Sequence, residues 1–139
     1  MPHIVIHYTP NLETQTDMNV LCRSLADAML SVNDEGKPVF PIGGTRVFAH
    51  PAAHFAVARG EPPRGREFGF VYVSLRMANG RSAAVHEAVG ASVSNAIKGH
   101  FAPLIEKHHV GVTFQIDEGH EVFDLKYSSL HPYFQTANP

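Results

Sequence analysis

The chain has 139 residues, enough for one domain with a real core and too few for two sizeable ones. Hydrophobic residues make up 44% and charged residues 17%, a globular balance that excludes a disordered tail. The formal net charge is −2 with histidines neutral, and no stripe of Lys and Arg occurs, which argues against a nucleic-acid module. Cys22 is the one cysteine, so no intrachain disulfide can form, and its place on a helical stripe reads as a small buried apolar residue. The apolar run from Ile4 to Ile6 is far shorter than a signal-peptide core, and nothing approaches the ~20 apolar residues of a membrane span. A soluble, cytoplasmic protein with no membrane partner is the expectation.

In chain order, Val, Ile and Tyr fill residues 3–8, which read as a strand closed by the turn signal Thr9-Pro10-Asn11. Met18, Leu21, Cys22, Leu25, Met29 and Leu30 then recur at helical spacing, predicting an amphipathic helix over about 16–31. A Pro/Gly-rich connection over 33–44 leads to a short strand at about 45–49. The pattern repeats with a strand over 68–77, closed by Ala78-Asn79-Gly80. Ser82 is a candidate N-cap, and Val85, Val89, Val93, Ile97 and Phe101 step by four along a long helix ending near residue 100. Residues 110–116 alternate as another strand, and 121–127 read as one more short strand.

The chain is therefore expected to be a single domain, residues 1–139, of the α/β class and α+β type. It comprises tandem β-α-β units, in pseudo-repeat halves of about 2–58 and 67–127. Residues 52–66 form the join, whose core, Gly60-Glu61-Pro62-Pro63-Arg64-Gly65-Arg66, has the composition of a solvated loop. A helical crossover makes the strands within each unit parallel. Two helices on one side of a four-stranded sheet leave the other face bare, and other subunits are the expected cover.

Pro2 follows Met1, and a small residue there permits loss of the initiator methionine. The product would begin with a secondary amine. An α-amino group titrates near ~8, and an apolar pocket or neighbouring cations would lower that toward the range of an efficient base. Two readings are open, because proline is also tolerated simply as the first residue of a strand. Arg81, between a strand end and a helix start, combines a carboxylate fork with free helix N–H groups; a solvated loop arginine is the alternative. Arg46 sits inside an apolar strand after Gly43-Gly44 and needs a counterion, either a protein carboxylate or a bound anion. The ten histidines include His50 and His54, four apart, and adjacent His108 and His109. No third ligand falls at a zinc spacing, so no metal is expected. P-loop, GxGxxG and GxSxG motifs are lacking as well.

Met1-Pro2-His3-Ile4-Val5-Ile6, Phe40-Pro41-Ile42-Gly43-Gly44-Thr45-Arg46, Phe70-Val71-Tyr72-Val73 and Gly80-Arg81-Ser82, taken in this order and spacing, resemble the 5-carboxymethyl-2-hydroxymuconate Δ-isomerase family of the tautomerase superfamily. The resemblance continues through His100-Phe101-Ala102 and Phe114-Gln115-Ile116-Asp117-Glu118 and so spans most of the chain. It implies a cytoplasmic homotrimer with no metal or other cofactor, acting in aromatic-compound degradation. It further implies Pro2 as acid/base, moving a proton within an unsaturated carboxylated keto–enol substrate, with Arg46 and Arg81 holding carboxylates. The family pattern often has a further arginine at the position of Phe48, which makes Phe48 a candidate substrate contact and a departure in charge. Residues 61–66 look longer than the family pattern, with Arg64 or Arg66 as compensating cations. Tyr127 is a second candidate pocket residue. Other readings are a tautomerase-fold hydratase or dehalogenase of an unsaturated acid, or a non-enzymatic trimeric binding protein. An intact Met1 leaves the Pro2 nitrogen an amide and would favour the last.

Overall fold

A computed structural model describes residues 1–59 and 68–137; the solvated-loop segment with Arg64 and Arg66 lies outside the described residues. Strand β1 (His3–Tyr8) runs into a 3-10 turn (Pro10–Thr14) and helix α1 (Met18–Leu30). A small hairpin follows, made of β2 (Asn33–Asp34) and β3 (Lys37–Pro38), then a 3-10 turn (Ile42–Gly44) and β4 (Arg46–Pro51). The second half holds β5 (Phe68–Ala78), α2 (Ala83–Lys107) and β6 (His109–Gly119), and α3 (Leu130–Ala137) ends the described chain.

The main sheet has the order β4-β1-β5-β6. β1 is parallel to β4 and β5 to β6, as helical crossovers require, while the central pair β1–β5 is antiparallel. The two β-α-β units are thereby related by an approximate two-fold axis between β1 and β5.

Alternation decides which side chains face the helices. Ile4 and Ile6 of β1 and Val71, Val73 and Leu75 of β5 have no exposed surface, and they meet Leu21, Leu25 and Met29 of α1 and Val89 and Val93 of α2. Each such aliphatic contributes about 1.5–3 kcal/mol by leaving water. Asp17 caps α1 by accepting from the N–H groups of Asn19 (2.8 Å) and Val20 (3.1 Å). Ser82 caps α2 by accepting from Val85 N–H (3.2 Å). Cys22 is half-buried, packs against the core, and burial pushes its thiol pKa up.

Three expectations change. Helix α2 does not stop near residue 100 but passes through Pro103 to Lys107. The lost hydrogen bond at Pro103 is outweighed because Phe101 is fully buried and Leu104 packs on the core. Residues 121–127 are not a strand. They cross the starting end of β1 rather than lying beside β6, so no ladder partner is within reach, and Val122, Phe123, Leu125 and Tyr127 remain exposed. Helix α3 was not read from the sequence, although Leu130, Tyr133 and Phe134 carry a short helical spacing with Pro132 in the tolerated first turn. No helix among the described residues covers the sheet face away from α1 and α2; residues 55–58 border it beside Phe70 and Tyr72, and Phe48 and Phe70 are exposed on it.

Candidate active site

Pro2 is buried on the helix side of β1, in step with Ile4 and Ile6, at the point where the strand begins. It borders a cavity of about 470 Å³ that the β5–α2 turn and the C-terminal tail enclose. From the turn comes Arg81, whose guanidinium carbon lies 5.3 Å from the ring centre of fully buried Phe40. That stacking sets the plane of the guanidinium. Its Nε–H is buried and donates to no acceptor among the described residues. A buried donor of this kind is costly without a partner, so the geometry suits an incoming anion.

Arg46 lies on the other face of the sheet. In the strand register His3 pairs with both Arg46 and Arg76, so the two arginines flank His3 on the side away from the helices. Arg46 does not border the cavity directly. Its Nη2 donates to the thioether of Met1 at 3.4 Å, and Met1 is itself part of the cavity wall. His3 Nδ1 lies 3.1 Å from the Met1 carbonyl oxygen. Phe48, two residues along β4 from Arg46, shares its face but not its surroundings. It lines a separate polar hollow of about 760 Å³ with Tyr8, Glu13 and Cys22. Tyr8 donates to Glu13 there, and burial first, then that carboxylate, pushes the phenol pKa up to about 12. Tyr127 is almost wholly exposed and does not line the Pro2 cavity.

The structure thus brings Pro2 and Arg81 together around one cavity, leaves Arg46 behind Met1, and sets Phe48 apart. It also adds residues that the sequence reading missed. Arg76 borders the cavity and pairs with Glu121 (3.5 Å), while Lys126 pairs with Asp124. The Glu121 carboxyl is lowered by its own backbone N–H and by Arg76, and that of Asp124 by its hydrogen bond with Lys126 and then by the positive amino terminus. Lys126 is correspondingly raised by Asp124. His131 of α3 completes the wall. Arg76 had a signal in the sequence, the same one that marks Arg46: a charge within an apolar strand. Lys126 and His131 had none, because only the path of the tail brings them to Pro2.

Among the described residues no group of three His, Cys, Asp or Glu side chains could hold a metal ion, and no helix is long and apolar enough to cross a membrane.

A model of the 5-carboxymethyl-2-hydroxymuconate isomerase family matches residues 2–134. The chain is 24% identical over 135 residues to the 5-carboxymethyl-2-hydroxymuconate Delta-isomerase of Escherichia coli, covering 97% of this chain and 100% of that one. A crystal structure of a 5-carboxymethyl-2-hydroxymuconate delta-isomerase superposes with a TM-score of 0.88 at 46% identity, covering 97% of this chain and 93% of the other. The 5-carboxymethyl-2-hydroxymuconate isomerase from Deinococcus radiodurans R1 gives 0.82 at 26% identity, with 96% and 93% covered. A member of the cis-3-chloroacrylic acid dehalogenase family, at 15% identity and a TM-score of 0.53, shares the fold alone. The chain belongs to the 5-carboxymethyl-2-hydroxymuconate isomerase family, and it is an isomerase with a tautomerase-superfamily fold.

Proposed function

We propose that the protein, once Met1 is removed, shifts a proton within an unsaturated carboxylated keto–enol substrate such as 5-carboxymethyl-2-hydroxymuconate, with the Pro2 amine as acid and base. The observation that carries this reading is the double position of Met1, whose carbonyl makes the Pro2 nitrogen an amide while its side chain stands between Arg46 and the cavity. Its loss would free the base and open the second cation to the same space. Pro2 would then take a proton from one carbon of the conjugated system and return it to another. Arg81 and Arg46 would hold substrate carboxylates and stabilise the dienolate. The same cations would disfavour the protonated amine and so keep Pro2 basic near neutral pH. Phe48 enters as an uncharged neighbour of Arg46 on β4, at a position where the family pattern often supplies charge.

A water-adding reaction needs a carboxylate free to act as base. Glu121 borders the cavity but is engaged by Arg76, which helps lower its pKa, and in the substrate-free protein Asp124 is paired with Lys126, so neither carboxylate stands ready to bind water before substrate enters, which supports isomerisation over hydration. The protein is read as a single-domain, cytoplasmic homotrimer serving aromatic-compound degradation. The sheet face that no described helix covers, the outer positions of β4 and β6 in the described sheet and the exposed apolar side chains of the tail support association of copies.

Intact mass of the protein made in its own host tests the first condition, with loss of one methionine expected. Pro2→Ala should then lower kcat/KM by about 10²-fold or more, with sedimentation unchanged. Isomerisation by the variant at the parent rate overturns the assignment of the base, and a monomeric parent in sedimentation overturns the trimer.

A further inference from the structure

The C-terminal tail forms one wall of the Pro2 cavity, and it carries a cation for which isomerisation of a simple enol has no use. The name of the family's substrate counts three carboxylates, two of the muconate and one of the carboxymethyl arm. Arg46 and Arg81 account for two. On β4 the next position on the same face is Phe48, so that strand offers no third.

Two further cations border the cavity, and their surroundings differ. Arg76 stands between carboxylates, with Glu121 at 3.5 Å and Asp117 as its register partner on β6. Among the described residues Lys126 has one direct partner, Asp124, and both side chains are about half exposed. A half-exposed lysine–aspartate pair is held weakly, because water screens it and both side chains lose freedom to form it. A ligand carboxylate that is also anchored at Arg81 can therefore take the place of Asp124.

The tail is fixed where this requires. Helix α3 packs on the 3-10 turn 42–44, and a Cβ at Gly43 would stand 3.0 Å from the His131 backbone, so only glycine allows this approach. His131 Nε2 comes within 3.4 Å of where a Cβ on Gly44 would be. Lys126, four residues before α3, borders the same cavity as Pro2, Arg81 and His131.

The geometry points to Lys126 as a specificity-determining residue of the isomerase, a cation for the third carboxylate of a tricarboxylate, with Asp124 as the internal carboxylate that the substrate displaces. The inference rests on the proposed function for the identity of the cavity but not for its test. Two saturated probes that cannot isomerise are compared by calorimetric binding to the Met1-free protein: carboxymethyl-substituted hexanedioate and hexanedioate itself. The parent should prefer the tricarboxylate. Lys126→Met should lose about tenfold more affinity for the tricarboxylate than for hexanedioate, and Lys126→Arg should keep most of the preference. Equal losses for both probes, as a displaced tail would give, overturn the assignment, and so does an unchanged preference. If the parent isomerises no hydroxymuconate, the proposed function fails while the binding contrast still decides the role of Lys126.

Discussion

At the start of β1 the turn from the other half leaves a cavity beside Pro2, whereas at the start of β5, its counterpart across the approximate two-fold axis, the turn from the other half packs directly against Gly69. The turn after β5 carries Arg81, whose Nε–H finds no acceptor among the described residues. The turn after β1 carries Leu12, which is fully buried and would lie 2.8 Å from a Cβ on Gly69. Around it Thr9 Oγ1 accepts from Phe70 N–H (3.0 Å), and Asn11 Nδ2 donates to the Phe68 carbonyl (2.8 Å). Where the first half places Arg46 beside His3, the second places His109 against Phe68, edge to face at 5.8 Å. A repeated fold therefore yields one candidate site, because one turn is built of satisfied and apolar groups and the other of a cation awaiting a partner.

The contrast can be broken from either side. The largest effect on stability is expected at the filled end: Leu12→Ala should cost about 2–5 kcal/mol in denaturant unfolding, leaving kcat/KM per folded molecule near the parent value. A comparable loss of activity with full stability would mean that this end also serves the reaction. At the open end, Arg81→Ala should lower kcat/KM by roughly 10²-fold with a small change in Tm, since its buried Nε–H satisfies no acceptor among the described residues. A large fall in Tm with little change in rate would make Arg81 structural. Gly69→Ala should cost about 1–3 kcal/mol, because Leu12 must move; an unchanged midpoint would show that the packing there is loose.

The smallest effect is electrostatic. His100 on α2 lies 2.7 Å from Thr16 Oγ1, and burial lowers its pKa against the opposing pull of Asp17. The folded protein thus favours the neutral ring, and on acidification the unfolded chain takes up the proton first, below about 6.5. The contribution is present above that value and is lost as pH falls toward the folded-state pKa. His100→Gln should flatten the fall in Tm between neutral and mildly acidic pH; an unaltered profile would place the sensitivity elsewhere.

Much of the fold is legible locally. Steps of four from Val85 to Phe101 and the alternation in β1 and β5 report burial directly, since only one stripe or face can meet the core. Pro103 misleads because its local penalty is set against the burial of Phe101 and Leu104, which no window around residue 103 reveals. The tail misleads similarly: Phe123, Leu125 and Tyr127 alternate with Asp124 and Lys126 like a strand, but a strand needs a neighbour, and none of the described residues pairs with it. In the candidate site, Pro2, Arg46 and Arg81 stand out because a residue type conflicts with its surroundings. Lys126 and His131 carry no such conflict, being a surface lysine and a helical histidine wherever the tail happens to run.

The amino-acid sequence by itself determined the four strands of the main sheet and the two crossover helices, the parallel pairing within each half, the family and the proline behind the initiator methionine, because these depend on spacing and residue type along short stretches. Only the tertiary structure decided that Met1 separates Arg46 from the cavity, that Phe48 faces a different hollow, and that the tail closes over Pro2. Those are matters of which distant segments share a volume. Strand order and packing set them, and no periodicity encodes them.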